Sequence, residues 1–215
     1  MGKVHSIFGI NGKLGDYVFY ELNGQPVVRK VAEKKKNPKT EAQKIVLQQN
    51  TEFGKASAAG KALRIALATE CEHLTDRYLY QRVSQLMLKL KSCDTTPHGL
   101  RTVAGGLTTK EGQYLLSSFN FHTKQKNFPQ LLSAERRGGH LFLTISSDNA
   151  MNARIVELQI NFETGKFRWQ VHVLPETEKE DVFILKKQFR QKKGFTDIVM
   201  ISGEGFLQGV VVKEY

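Results

Sequence analysis

The sequence predicts an α+β protein, with an N-terminal β-hairpin, a helical part, and a C-terminal antiparallel β-sandwich or barrel. Three observations carry this. Asn23-Gly24 separates two β-rich runs, apolar residues follow a three-four spacing between Ile45 and Leu90, and beyond Gly139 the apolar period falls to two. The 215 residues suit one good-sized domain or two small ones. The change of period sets the expected division: 1–132 for hairpin and helices, 133–215 for the antiparallel part.

The hairpin comes first. Asp16–Leu22 and Gln25–Val31 are its strands, and Asn-Gly accepts the positive φ that both positions of a type I′ turn require. Pro26 has no N–H for a ladder, so the second strand is expected to begin at a sheet edge. Thr40 with Gln43 three residues on has the capping-box pattern, and Glu41 suits a helix N-terminus. Ile45, Val46, Gln49, Phe53, Ala56, Gly60, Leu63 and Leu67 then predict a helix over 40–68, with a break expected near Gly54 or Gly60. A second helix is expected from Thr75 to Lys91, with Leu79, Val83, Leu86, Met87 and Leu90 on one face. Residues 94–108 read as a loop punctuated by Ala104-Gly105-Gly106, a short helix follows over Thr109–Ser117, and Arg136–Gly139 marks the boundary.

Alternation then predicts strands around Leu141–Ile145, Val156–Phe162 and Phe167–Val173, the last two joined by Glu163-Thr164-Gly165-Lys166. That hairpin has an apolar face and a polar one bearing Glu157, Gln159, Arg168, Gln170 and His172. Further strands are expected at Asp181–Phe189, Asp197–Ser202 and Phe206–Glu214.

Charge is the strongest compositional signal. The chain carries a formal net charge of +11, from 32 Lys and Arg against 21 Asp and Glu. Nearly all of that excess sits in two clusters. One is Arg29, Lys30, Lys34, Lys35, Lys36 and Lys39, opposed only by Glu33; the other is Lys186, Lys187, Arg190, Lys192 and Lys193, with no acid among them. Like charges crowded together repel, and such clusters are tolerated in water or against an anionic partner. These eleven residues are the candidate nucleic-acid-binding set, with Phe189 and Phe195 as aromatics near them.

No catalytic residues are assigned. Gly9, Gly12 and Gly15 invite a phosphate-loop reading, but the spacing is not that of a dinucleotide fingerprint and a hairpin follows rather than a helix. No Walker sequence, nucleophile elbow, zincin or kinase signature occurs. Cys71 with His73 and Cys93 with His98 do not have the tight paired spacing of zinc sites, so no metal and no cofactor is expected. No apolar run is long enough to span a bilayer, and the first residues lack the apolar stretch of a secretion signal, so a cytoplasmic protein without membrane contact is expected. Met1-Gly2 formally fits a myristoylation start, but a single acyl chain anchors weakly.

Gly9-x-x-Gly12-x-x-Gly15-x-x-Val18, Gly24-x-x-Val27-Val28-Arg29 and Asn37-Pro38-x-Thr40-x-Ala42-Gln43 together resemble a bacterial family built around a domain of unknown function. Leu100–Ala104 and Glu111-Gly112-x-x-Leu115-Leu116-x-x-Phe119-x-Phe121 are similar to the same family. Shorter versions of the N-terminal segment resemble phage structural proteins. The resemblance covers roughly the first 120 residues and implies a β-rich C-terminal part; it supplies no activity and no catalytic residues to carry over. After Gln43 this chain has Lys44-Ile45-Val46-Leu47-Gln48 where the family pattern implies an early Arg.

Two functions are therefore expected. The first is a non-enzymatic polyanion-binding protein, nucleic acid being the polyanion, that uses the two basic clusters. The alternative is a structural or assembly protein of phage-like or multi-subunit type, which docks through its N-terminal segment onto a protein partner or further copies of itself.

Overall fold

The computed structural model describes residues 11–32, 39–74, 76–122, 128–146, 153–174 and 182–214, with the backbone of residues 2–3. Of the residues named above, Gly9, Glu33, Lys34, Lys35, Lys36, Asn37, Pro38, Thr75 and Asp181 lie outside the described residues. The chain divides into two compact units, Met1–Thr40 and Glu41–Tyr215. The division expected at 132/133 falls inside the second unit instead, because helices and strands there share one core.

The first unit is an antiparallel sheet of β1 (Gly2–Lys3), β2 (Gly12–Leu14), β3 (Tyr17–Leu22) and β4 (Gln25–Lys30), in the order β1-β4-β3-β2. Asn23 and Gly24 take φ values of 52° and 75°, the two positive angles that a type I′ turn requires. Strand β4 is interior to the sheet rather than at its edge, and among the described residues β1 pairs with its Val27 and Val28. Gly12 begins β2 and Gly15, at φ 59°, turns it into β3: this stretch of the glycine-spaced segment is a hairpin. Val27 is the only buried hydrophobic residue among the described residues of this unit.

The second unit is layered. Helices α1 (Glu41–Ala66), α2 (Ala68–Glu72), α3 (Leu79–Ser92), α4 (Val103–Leu107) and α5 (Lys110–Ser117) cover one face of a central sheet. That sheet contains β7 (Arg154–Ile160), β8 (Phe167–Val173), β10 (Thr196–Gly203) and β11 (Phe206–Val211), in the order β11-β10-β7-β8. Its other face packs on an outer sheet of β5 (Leu131–Arg137), β6 (His140–Ile145), β9 (Val182–Lys186) and β12 (Lys213–Glu214), ordered β12-β5-β6-β9. Strand alternation divides the central side chains: Val156, Leu158, Ile198 and Met200 meet the helices, while Ile155, Val199 and Ile201 meet the outer sheet. The sandwich is antiparallel except where β12 runs parallel to β5.

Several elements differ from expectation for identifiable reasons. Helix α1 does not break at either glycine, and its buried stripe consists of Glu52 followed by Ala56, Ala59, Gly60, Ala62, Leu63 and Ala66 rather than the large apolar residues upstream. A Cβ at Gly60 would sit only 3.2 Å from Met87, so small residues let α3 approach closely. Ala104-Gly105-Gly106 is helical. Thr102 caps α4 by accepting from the Gly105 N–H at 2.9 Å, and a Cβ at Gly106 would collide with the Leu90 carbonyl. Residues 131–137 form a strand unforeseen in the sequence, irregular between Leu131 and Ser133, and Gly138 at φ 56° makes the expected boundary a hairpin turn. The last strand is broken at Val212, where the chain leaves the central sheet for the outer one. Among the described residues no helix is long and apolar enough to cross a membrane.

A candidate polyanion interface

The second basic cluster begins at the end of β9 and continues through the loop that leads into β10. Its backbone is fastened from below by two side chains of β7 that the sequence places on a polar face. Glu157, almost wholly buried, accepts from the Gln188 N–H at 2.9 Å and the Phe189 N–H at 3.2 Å. These bonds take the chain out of the ladder after Lys186, which is why the strand expected to reach Phe189 stops earlier. Gln159, with no exposed surface, donates to the Arg190 carbonyl at 3.0 Å and to Asp197 at 2.6 Å. Its own carbonyl accepts two bonds from Arg168, at 2.9 and 2.7 Å. A buried carboxylate or amide is tolerable only when so satisfied.

The network continues to one side. Asp197 accepts from Arg136 at 2.9 Å, and the same Arg136 nitrogen donates to Glu214 at 2.9 Å. Burial pulls the Arg136 guanidinium down, but Asp197 and Glu214 outweigh it and hold the group above its ordinary pKa. Arg168 lies over the Phe189 ring at 4.7 Å, and Lys192 over the Phe195 ring at 4.7 Å. Both aromatics near the basic cluster therefore carry a cation on one face. His172 Nε2 stands 3.6 Å from Glu157.

With the backbone held, the cations point outward. Lys186, Arg190, Lys192 and Lys193 are exposed and Lys187 is half-buried. None of the five has a carboxylate within ion-pair distance among the described residues. The ion pairs instead engage Lys44, Arg82, Lys91, Arg136, Arg137, Arg154 and His172. Among the described residues the loop is thus an array of positive charge without carboxylate partners, on a backbone held by Glu157 and Gln159.

The first cluster is built differently. Arg29 and Lys30 end β4 and are exposed, and as strand neighbours they project from opposite faces of the sheet. Arg29 lies over the Tyr20 ring at 5.7 Å, Lys30 is paired in register with Tyr17, and Lys39 is exposed just before α1. Lys34, Lys35 and Lys36 lie outside the described residues.

Sequence reasoning found the cations of the loop but missed Glu157, Gln159 and Arg168, which position it. The alternation of β7 and β8 marked a polar face; what it does not reveal is that this face is roofed by the chain beyond β9. Among the described residues no group of three or more His, Cys, Asp or Glu side chains is arranged to hold a metal ion. Burial pushes the Cys71 thiol up to about 11, and both cysteines are free. No family model, no curated protein and no solved structure matches the chain.

Proposed function

We propose that this chain is a non-enzymatic polyanion-binding protein that grips the phosphates of nucleic acid through the loop of residues 186–193. The supporting observation is the combination in one loop of four exposed cations without carboxylate partners among the described residues and a backbone held by Glu157 and Gln159. Pre-ordering matters because a loop that is already fixed loses little conformational entropy on binding. Arg168, exposed beside Arg190, extends the array. Phosphate contacts of this kind give affinity with little sequence preference, since they read backbone rather than base edges. The basic segment of residues 29–39 adds further phosphate contacts through its charge alone.

The test is retention on duplex DNA or heparin against salt. If four phosphates are neutralised by the loop, the logarithm of the binding constant should fall with log salt at a slope of about −3.6. Replacing Lys186, Arg190, Lys192 and Lys193 together by Gln should remove that part of the slope while the far-UV spectrum stays unchanged. Undiminished binding by this variant, and by one that also carries Lys34, Lys35 and Lys36 as Gln, overturns the reading.

A second reading, assembly with a protein partner, is favoured by a separate observation. Residues 41–51 of α1 are exposed throughout, including Ile45, Val46 and Leu47, and the N-terminal sheet leaves Leu14, Tyr17 and Leu22 exposed. Sedimentation that shifts with protein concentration and ignores nuclease would support assembly over nucleic-acid binding.

A further inference from the structure

A cavity of about 230 Å³ opens on the second unit between the middle of α1, the end of α3, residues 101–104 and the turn from β7 to β8. Ala56, Ala59, Val103 and Phe162, all buried, form its apolar lining. Around them stand three cations, Lys55, Lys91 and Arg101, with Thr102 and one acid, Glu163. An apolar floor with a few charged groups at its rim is the make-up of a small-molecule site.

The three cations are not equivalent. Lys91 is turned inward, 3.0 Å from buried Glu52. The other Glu52 oxygen accepts from the Gly99 N–H at 2.5 Å and the Arg101 N–H at 3.0 Å. Glu52 therefore consumes the charge of Lys91 and fixes the backbone at Arg101. The Arg101 side chain commits only its Nε, to the Thr96 carbonyl at 3.1 Å, so its two terminal nitrogens have no partner among the described residues. Lys55 is exposed and likewise has no carboxylate partner there. A planar guanidinium edge and an ammonium are left to act on whatever enters, opposed by Glu163, which is exposed to water. A guanidinium edge matches two oxygens of a carboxylate or phosphate, and an ammonium supplies a point charge to the same group.

We infer that this cavity binds a small molecule with a compact apolar body and one oxyanion group, a carboxylate or a phosphate monoester, held by Arg101 and Lys55. The volume limits the body to about the size of one aromatic ring. This site is independent of the loop at 186–193.

Benzoate and phenyl phosphate are suitable probes, with benzyl alcohol as the neutral control. Calorimetric titration should show either anion or both binding at least about tenfold more tightly than the alcohol, with amide shifts centred on residues 55–59 and 101–104. The tighter of the two anions identifies the oxyanion. Arg101→Gln should weaken binding about tenfold and Lys55→Gln several-fold, whereas Glu163→Gln should tighten it by removing the opposing charge. Ala58→Trp should block the cavity; Ala58 is exposed on its rim, so the bulk is added without disturbing the core. The Gln variant of the 186–193 loop should bind both probes normally. Failure of both anions to bind at millimolar concentration overturns the inference. So does equal binding of benzyl alcohol, or binding that survives Ala58→Trp.

Discussion

The N-terminal sheet and the central sheet of the second unit are both four-stranded and antiparallel, yet they bury their residues very differently. In the first, the described residues include one buried hydrophobic side chain, Val27. In the second, every residue of β7 after Arg154 is buried, Glu157 and Gln159 among them. The difference lies in what is stacked on each strand. Helices cover one face of the central sheet, and the outer sheet with the 186–190 segment covers the other. A basic cluster takes its character from its support. Arg29 and Lys30 diverge to opposite faces of a thin sheet, whereas the cations after β9 stand on a backbone anchored to buried polar groups.

The comparison breaks most easily by deleting side chains. Leu143→Ala, at a residue with no exposed surface, should cost about 2–5 kcal/mol by urea unfolding. Leu14→Ala in the N-terminal sheet removes a side chain that is 65 % exposed and should shift the same transition by less than about 0.5 kcal/mol. Equal effects would mean that the N-terminal sheet is buried against something in solution, which would favour assembly.

Much of this architecture is legible in the sequence because the relevant signals are local. Asn23-Gly24 fixes a turn through its own dihedral angles. The spacing of Leu79, Val83, Leu86, Met87 and Leu90 marks the buried face of α3, and Thr109 caps α5 by accepting from Gly112. What escapes local reading depends on a distant neighbour. Gly105 and Gly106 look like loop residues; they lie in a helix capped by Thr102, where Asp94 and the Leu90 backbone press too closely for any side chain. Large residues at the start of α1 look like core, but the body reaches the helix only further along, where alanines face it. The loop cations were visible as composition; the cavity beside Arg101 was not, since it is assembled from four separate segments.

Buried carboxylates give the next largest effect, and they belong to the second unit. Asp94 accepts from the Thr96 N–H at 3.0 Å and the Thr102 N–H at 2.7 Å, which places the cap of α4. Burial raises its pKa, but these bonds outweigh burial and hold it below the ordinary range; Glu52 is lowered too, its burial outweighed by Lys91, Arg101 and Gly99. A carboxyl whose pKa is lower folded than unfolded contributes stability above the unfolded value, about 4. That stability is lost as the pH falls through the lowered folded value. The urea midpoint should therefore drop between pH 5 and pH 3. Asp94→Ala should lose about 1–3 kcal/mol at pH 7 and show a shallower decline in acid. An acid dependence unchanged in this variant would show that Asp94 is not among the groups responsible.

The smallest effect separates binding from folding. Lys192 and Lys193 are exposed and make no ion pair among the described residues, so neither helps to hold the loop through a carboxylate. Lys192 rests on the Phe195 ring, a contact worth about 0.5–1 kcal/mol at an exposed site. Repulsion within the cluster works in the opposite direction and is screened by salt. The two contributions oppose each other, and surface changes of this kind are small, so the double change of Lys192 and Lys193 to Gln should alter stability by no more than about 0.5 kcal/mol. Any loss should shrink in low salt, where the repulsion relieved by the change is larger. Glu157→Gln is the complementary variant: it keeps every cation but weakens the hold on the Gln188 and Phe189 N–H groups, which should exchange faster with deuterium. If polyanion affinity falls in the lysine variant at unchanged stability, charge alone is responsible there. If it also falls in the glutamate variant, the affinity depends on the ordered backbone as well as on the charges it carries.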